Sequence, residues 1–154
     1  MITFAETLAT GGVALGVGAA TAENALEKVA ALLRGDPRVL DWDDVYSSLG
    51  KAVTCLVEDG AEFGVCIPHA RTNAVTAMVM SAGRFDPGVL FQNCAHPIRY
   101  MFCIAVPVAL ASDYLRIVGL LARLLRNPAT EAKLFRTSTE NEFAATLTRL
   151  EAQL

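Results

Sequence analysis

Ile98–Val106 reads IRYMFCIAV and carries one charged side chain, Arg99, in its nine positions. The run is apolar without the alternation of a half-solvated strand, so it predicts a β-strand buried on both faces. A strand with no solvent face requires helices above and below its sheet. Working outward, residues 54–57, 64–67 and 74–80 are short runs rich in β-branched and apolar side chains, punctuated by Gly, Pro, Asp and Asn. They predict further strands. Residues 13–17 are one more candidate.

Helical periodicity brackets this strand-rich middle. Ala22, Ala25, Leu26, Val29, Leu32 and Leu33 recur at three- and four-residue steps, predicting a helix over 22–34. Thr21 is its expected cap and Gly35-Asp36-Pro37 its stop. A shorter helix over 42–49 has Asp41 as N-cap and Gly50 at its end. The carboxylates of Asp41, Asp43 and Asp44 suit that helix start better than a cation site, because the spacing of a calcium loop is missing. Residues 113–126 place Leu115, Val118, Leu121, Leu124 and Leu125 together and turn Arg116, Arg123 and Arg126 away, with Ser112 as the expected cap. Asn127-Pro128 ends that helix and starts another. Thr139-Glu140-Asn141-Glu142 fits a capping box ahead of Phe143, Leu147 and Leu150. The order of helices, strands and helices predicts a single α/β domain over 1–154, with a central sheet and helices packed on both faces.

Composition narrows the function. Of 154 residues 53% are hydrophobic and 19% charged, below the usual share of about 25%, which excludes a disordered chain. The formal net charge of −3 and the lack of a Lys/Arg run argue against nucleic acid as a partner. The apolar start has no basic n-region, and its uncharged stretch over 7–22 is too short and Gly-rich for a membrane span. The expectation is a cytoplasmic protein with no direct membrane insertion. Cys55, Cys66, Cys94 and Cys103 show no C-x-x-C spacing, so they are expected to be free thiols without a metal.

There are two histidines. His96 precedes Pro97 and reads as a plain turn residue. His69 follows Pro68, whose ring is expected to end a strand and leave His69 at its carboxyl edge, where sheets covered by helices tend to hold their sites. Cys66 lies three residues earlier on the extended chain and points to the opposite face, which argues against a cysteine–histidine hydrolase.

The segment Gly64-Val65-Cys66-Ile67-Pro68-His69-Ala70-Arg71-Thr72 resembles the active-site segment of the fructose/mannitol-type enzyme IIA domains of the bacterial phosphotransferase system, including the nitrogen-regulatory branch. Residues 77–91, Pro97 to Pro107, residues 115–125 and residues 135–143 are similar to further family elements in the same order, so the likeness covers roughly 20–150. The resemblance implies a mixed sheet and a histidine phosphocarrier. His69 would take a phosphoryl group from a histidine-containing phosphocarrier protein, then pass it to a sugar-permease domain or hold it as a regulatory signal. A neutral imidazole nitrogen is the nucleophile such chemistry needs. No metal or organic cofactor is required. Arg71 would supply a forked donor to the phosphoryl oxygens.

The chain departs from the family pattern in three places. The Ser/Thr/Gly loop before the histidine strand is replaced by Glu58-Asp59-Gly60-Ala61-Glu62-Phe63-Gly64, of which Gly60 is expected to offer backbone amides to phosphate. No arginine stands at the approach to that loop. Tyr114 stands where the family often has a second histidine, and it is expected to line the site within reach of His69 as a hydrogen-bond donor. A carboxylate of Glu58, Asp59 or Glu62 facing the phosphoryl group from about 6 Å opposes it by roughly 3 kcal/mol at an effective dielectric near 20, so neutralising the loop is expected to raise phosphorylation. The alternative reading is a degenerate enzyme IIA-like domain, binding a protein partner without phosphotransfer.

Overall fold

The computed structural model describes residues 2–56, 62–91 and 94–154. The chain opens with a single helical turn, α1 (Phe4–Thr7), and strand β1 (Leu8–Ala14). Helix α2 (Ala22–Ala30), a 3-10 turn (Ala31–Leu33) and α3 (Trp42–Leu49) follow. Strands β2 (Val53–Leu56), β3 (Gly64–Arg71), β4 (Val79–Val89) and β5 (Ile98–Val106) come next. A 3-10 turn (Val108–Leu110) leads into α4 (Ala111–Arg126), α5 (Pro128–Phe135) and α6 (Glu140–Ala152). The strands form one sheet in the order β1-β4-β5-β3-β2. β5 pairs antiparallel with β4 and parallel with β3; β2 closes one edge antiparallel to β3, and β1 the other parallel to β4. This is the expected mixed sheet with helices on both faces.

The helix starts follow the sequence signals. Thr21 Oγ1 accepts from Asn24 N–H at 3.1 Å, Asp41 Oδ1 from Asp44 N–H at 3.3 Å and Thr139 Oγ1 from Glu142 N–H at 3.1 Å. Helix α4 differs. The 3-10 turn feeds it directly, Leu110 takes the N-cap place, and Ser112 caps nothing.

Several strand boundaries are corrected. β1 lies earlier than 13–17. Residues 74–78 form no strand, although Ala74, Val75 and Met78 are buried. In the antiparallel register Val79 already faces Ala105, so preceding residues would have to pair beyond Val106, where Pro107 has no N–H to give. That segment turns instead, with Thr72 Oγ1 accepting from Ala74 N–H at 3.0 Å. Pro68 does not end β3. Its ring angle is compatible with extended backbone, and His69 N–H donates to Ala52 O at 2.9 Å, so the strand continues to Arg71.

The two faces of the sheet bury different side chains. Tyr100, Phe102, Ile104 and Val106 pack with α4, α5 and α6 through Ile117, Leu121, Leu134, Phe143 and Leu147. Met101, Cys103 and Ala105 pack with α2 and α3 through Ala25, Val29, Val45 and Leu49. The second face is built for close approach: a Cβ on Gly83 would lie 2.5 Å from Val29 Cγ2. Cys55 and Cys94 are joined by a disulfide, which corrects the expectation of four free thiols. The fold brings residues 39 apart to a Cα separation of 5.8 Å, inside the bridging range, a proximity that sequence spacing does not reveal.

One cation ties β4 to the helical layer. Arg84 is buried, and its Nη1 donates to the carbonyls of Leu134, Phe135 and Thr137 at 3.2, 3.1 and 2.9 Å. Leu134 and Phe135 close α5 and Thr137 follows it, so the guanidinium sits at the helix C-terminus, where a cation is favoured. Arg84→Met keeps much of the apolar volume but strips the carbonyls of their donor. We expect it to destabilise the protein by about 2–4 kcal/mol, measured as a lowered urea midpoint with an unchanged slope.

Candidate functional site

His69 stands third from the end of β3, half-buried, on the face covered by α4. Its Nδ1 lies 3.1 Å from the carbonyl oxygen of Ile67. A carbonyl only accepts, so this contact requires the hydrogen on Nδ1 and leaves the lone pair on Nε2. The ring is held by its own strand in the tautomer whose outer nitrogen is nucleophilic. This matches the expected position at the carboxyl end of a strand with the ring partly exposed.

Tyr114 arrives from the first turn of α4 and tilts over the imidazole, with ring centroids 4.7 Å apart and 32° between planes. The structure therefore joins two residues 45 positions apart, as expected (114 less 69). Burial raises the Tyr114 pKa above the ordinary phenol value, while a hydrogen bond with the Thr54 side chain lowers it. Thr54 was not a candidate from sequence. It sits on β2, directly opposite Ile67, and only the antiparallel register reveals that it reaches this site.

Arg71 lies two residues beyond His69 on the same sheet face. It is exposed, with no hydrogen-bond or ion-pair partner among the described residues. Glu62 is exposed and leads into the opposite end of β3. Five residues of extended chain separate Gly64 from His69, about 16 Å, so screening leaves Glu62 little influence there. This corrects the expectation for Glu62; Glu58, Asp59 and Gly60 lie outside the described residues. Around the carboxyl end of β3, Val53, Val108, Leu110 and Leu115 are exposed, by 36, 47, 38 and 68%. Val53 faces Pro68 across the ladder, and the other three come from the turn after β5 and the start of α4.

The remaining chemical groups are excluded by their surroundings. Cys66 packs on the far face, and burial pushes its thiol up to about 12; Cys103 is raised further by the same cause. His96 is half-buried in the bend before β5. Among the described residues no group of three or more His, Cys, Asp and Glu side chains is placed to hold a metal ion. No described helix is long and apolar enough to cross a membrane.

Comparison with known proteins agrees with this geometry. Residues 7–149 match the family described as phosphoenolpyruvate-dependent sugar phosphotransferase system, EIIA 2. The chain is 32% identical over 126 residues to the fructose-specific EIIA component of Haloferax volcanii, covering 79% of each. Among solved structures it resembles the nitrogen regulatory protein IIA-Ntr of Neisseria meningitidis, with a TM-score of 0.78 and 23% identity over 93% of this chain and 97% of that one. It also resembles enzyme IIA of the mannitol system of Escherichia coli, seen in complex with phosphorylated enzyme IIB, with a TM-score of 0.68 and 17% identity over 91% and 97%. At these identities the two structures show a shared fold.

The cysteine environment is directly testable. The native protein, disulfide intact, should take up no iodoacetamide at pH 8, because both free thiols are buried and protonated. Unfolded without reductant, it should take up two equivalents, at Cys66 and Cys103, as read by intact mass. Rapid native labelling of Cys66 would show that its burial had been misread.

Proposed function

The chain belongs to the EIIA type 2 family of the phosphoenolpyruvate-dependent sugar phosphotransferase system, and from that membership we propose that it is a histidine phosphocarrier whose acceptor atom is His69 Nε2. The observation that carries this reading is the bond from His69 Nδ1 to the Ile67 carbonyl. It orients a half-exposed imidazole whose neutral form carries its lone pair on the outer nitrogen, the arrangement phosphoryl transfer needs.

The step is an in-line exchange between two histidines. The Nε2 lone pair of His69 attacks the phosphorus of a phosphohistidine on the donor protein. The new N–P bond forms as the donor's N–P bond breaks, and the leaving imidazole, which already carries a hydrogen on its other nitrogen, keeps that electron pair as its lone pair and departs neutral. His69 keeps its Nδ1 hydrogen on Ile67, so the positive charge that develops on the ring is stabilised by the carbonyl dipole. Little covalent work falls to the protein; it positions the ring and meets the charge on the phosphoryl oxygens. Arg71, exposed and two residues away on the same face, is the cation that would fork onto those oxygens. Tyr114 covers one side of the imidazole, excludes water there and offers a neutral donor.

The donor is a histidine-containing phosphocarrier protein, and it reaches His69 over the apolar rim of Val108, Leu110 and Leu115. The Escherichia coli relative seen with phosphorylated enzyme IIB suggests the kind of acceptor, a sugar-permease component; a regulatory target is the other. A carrier serving such partners works in the cytoplasm.

Incorporation of labelled phosphate from phosphoenolpyruvate through the two upstream proteins tests the reading. Wild-type protein should take the label in an acid-labile, base-stable form, and His69→Ala should take none. Glu62→Gln should match the wild type within about twofold, because its charge is screened from His69. A rise on neutralising the acidic loop would then belong to Glu58 and Asp59. Absence of label from the wild type would leave a protein-binding module on an enzyme IIA fold.

A further inference from the structure

We propose that Asn73 is a positioning residue of this site: its side chain fixes the turn into α4 and so sets the Tyr114 ring against His69. The inference rests on the phosphocarrier reading and concerns a residue just beyond the Ile67-to-Thr72 segment.

Asn73 Oδ1 accepts from Val108 N–H at 3.3 Å. The way β3 and β5 end explains this bond. The two strands run parallel, with His69 beside Ile104 and Arg71 beside Val106, and Thr72 N–H still donates to Val106 O at 2.9 Å. In a continued parallel ladder the next donor, Val108 N–H, would go to the Thr72 carbonyl. Pro107 intervenes, with its φ at −56° and no N–H to give. There the chain bends into the 3-10 turn Val108–Leu110, closed by Leu110 N–H on Pro107 O at 2.9 Å. Val108 N–H thus leaves the ladder, and the Asn73 side chain takes it in place of a backbone acceptor.

Side chains give the entry to α4 little other support. Neither the 3-10 turn nor α4 has a side-chain cap. Among the described residues, Asn73 is the one side chain that hydrogen-bonds to the backbone of residues 107–112. Tyr114 follows in the first turn of α4, its ring centroid 4.7 Å from that of His69 with 32° between the planes. A helix moves as a rigid rod, so a change in its entry direction carries Tyr114 with it. Asn73 lies four residues after His69 and two after Arg71 on the same run of chain. One side chain therefore references the strand that bears the acceptor and the guanidinium to the helix that covers the imidazole. The amide oxygen does this without charge, so no carboxylate is added beside the phosphoryl group. Small misplacements of positioned groups slow a reaction that depends on orientation.

The test is a double-mutant cycle with two readouts. Asn73→Ala removes the acceptor; Asn73→Asp keeps an acceptor oxygen and adds an exposed, screened charge; Tyr114→Leu removes the ring. The readouts are the initial rate of label transfer to His69 and the proton NMR shifts of the His69 ring in the unphosphorylated protein, which carry the ring current of Tyr114. Val108 is 47% exposed, so water can take its N–H in Asn73→Ala, and that variant should melt within about 4 °C of the wild type. It should slow transfer about 3- to 10-fold and move the His69 ring signals toward those of Tyr114→Leu. Asn73→Asp should restore the ring signals and return the rate to within about threefold of the wild type. Added to Tyr114→Leu, Asn73→Ala should slow transfer by no more than about twofold, because it acts through Tyr114. Full rate or unmoved ring signals in Asn73→Ala, a loss that aspartate does not restore, or losses that multiply in the double variant would overturn the positioning role while leaving the phosphocarrier reading intact. No label on the wild type would overturn that reading and, with it, the part of Asn73 in transfer.

Discussion

The whole structure depends on β5 having no solvent face. Each residue from Tyr100 to Val106 is buried, and its backbone groups are satisfied by strands on both sides, β4 and β3. Because both faces must be covered, the chain supplies helices before and after the strand-rich middle. The two faces differ in bulk, and this sets the helix distances. The Tyr100, Phe102 and Ile104 face supports the layer of α4, α5 and α6. The Cys103 and Ala105 face, with Gly83 beside it on β4, admits α2 so closely that a methyl group at Gly83 would collide with Val29.

The site is a consequence of how β3 attaches to that strand. β3 runs parallel to β5, so both carboxyl ends emerge at one edge of the sheet. The chain leaving β5 turns at Val108–Leu110 and enters α4 at the same edge, which carries Tyr114 over His69. β2 then adds to the outer side of β3 in antiparallel register and delivers Thr54. Three segments remote in sequence thus meet where the sheet can expose a histidine without exposing its core.

Solvation separates Cys66 from His69. Cys66 and His69 share a strand, but alternation sends the thiol into the α2–α3 core, where burial holds it protonated. The imidazole goes to the other face and stays half-exposed, with one nitrogen engaged by Ile67 and the other without a partner among the described residues. A nucleophile that faces a protein partner needs accessibility and a fixed tautomer together, and in β3 His69 has both.

Local pattern determined much of this protein. Apolar continuity marked β5, three- and four-residue steps marked α2, α4 and α6, the Asp41 and Gly50 end signals marked α3, and the caps at Thr21, Asp41 and Thr139 formed as their side-chain chemistry required. His69 was legible from the Ile67-to-Thr72 segment, and Tyr114 from its place at the start of a helix like that of the family. These signals are short-range, so they survive in a bare sequence. Tertiary structure alone decided the rest. Residues 74–78 have strand-like side chains but form only an isolated antiparallel bridge, Val75 to Val39, because β5 ends before it can pair with them. Glu62 is near His69 in sequence, yet it precedes a strand whose first residue, Gly64, is about 16 Å from His69 along the extended chain. Cys55 and Cys94 meet across a gap of 39 residues, and Thr54 comes to the sheet face of His69 only through the register of β2 on β3. Each of these depends on which residue lies opposite which, a pairing fixed by the hydrogen-bond ladder of the assembled sheet rather than by the chemistry of neighbours in the chain.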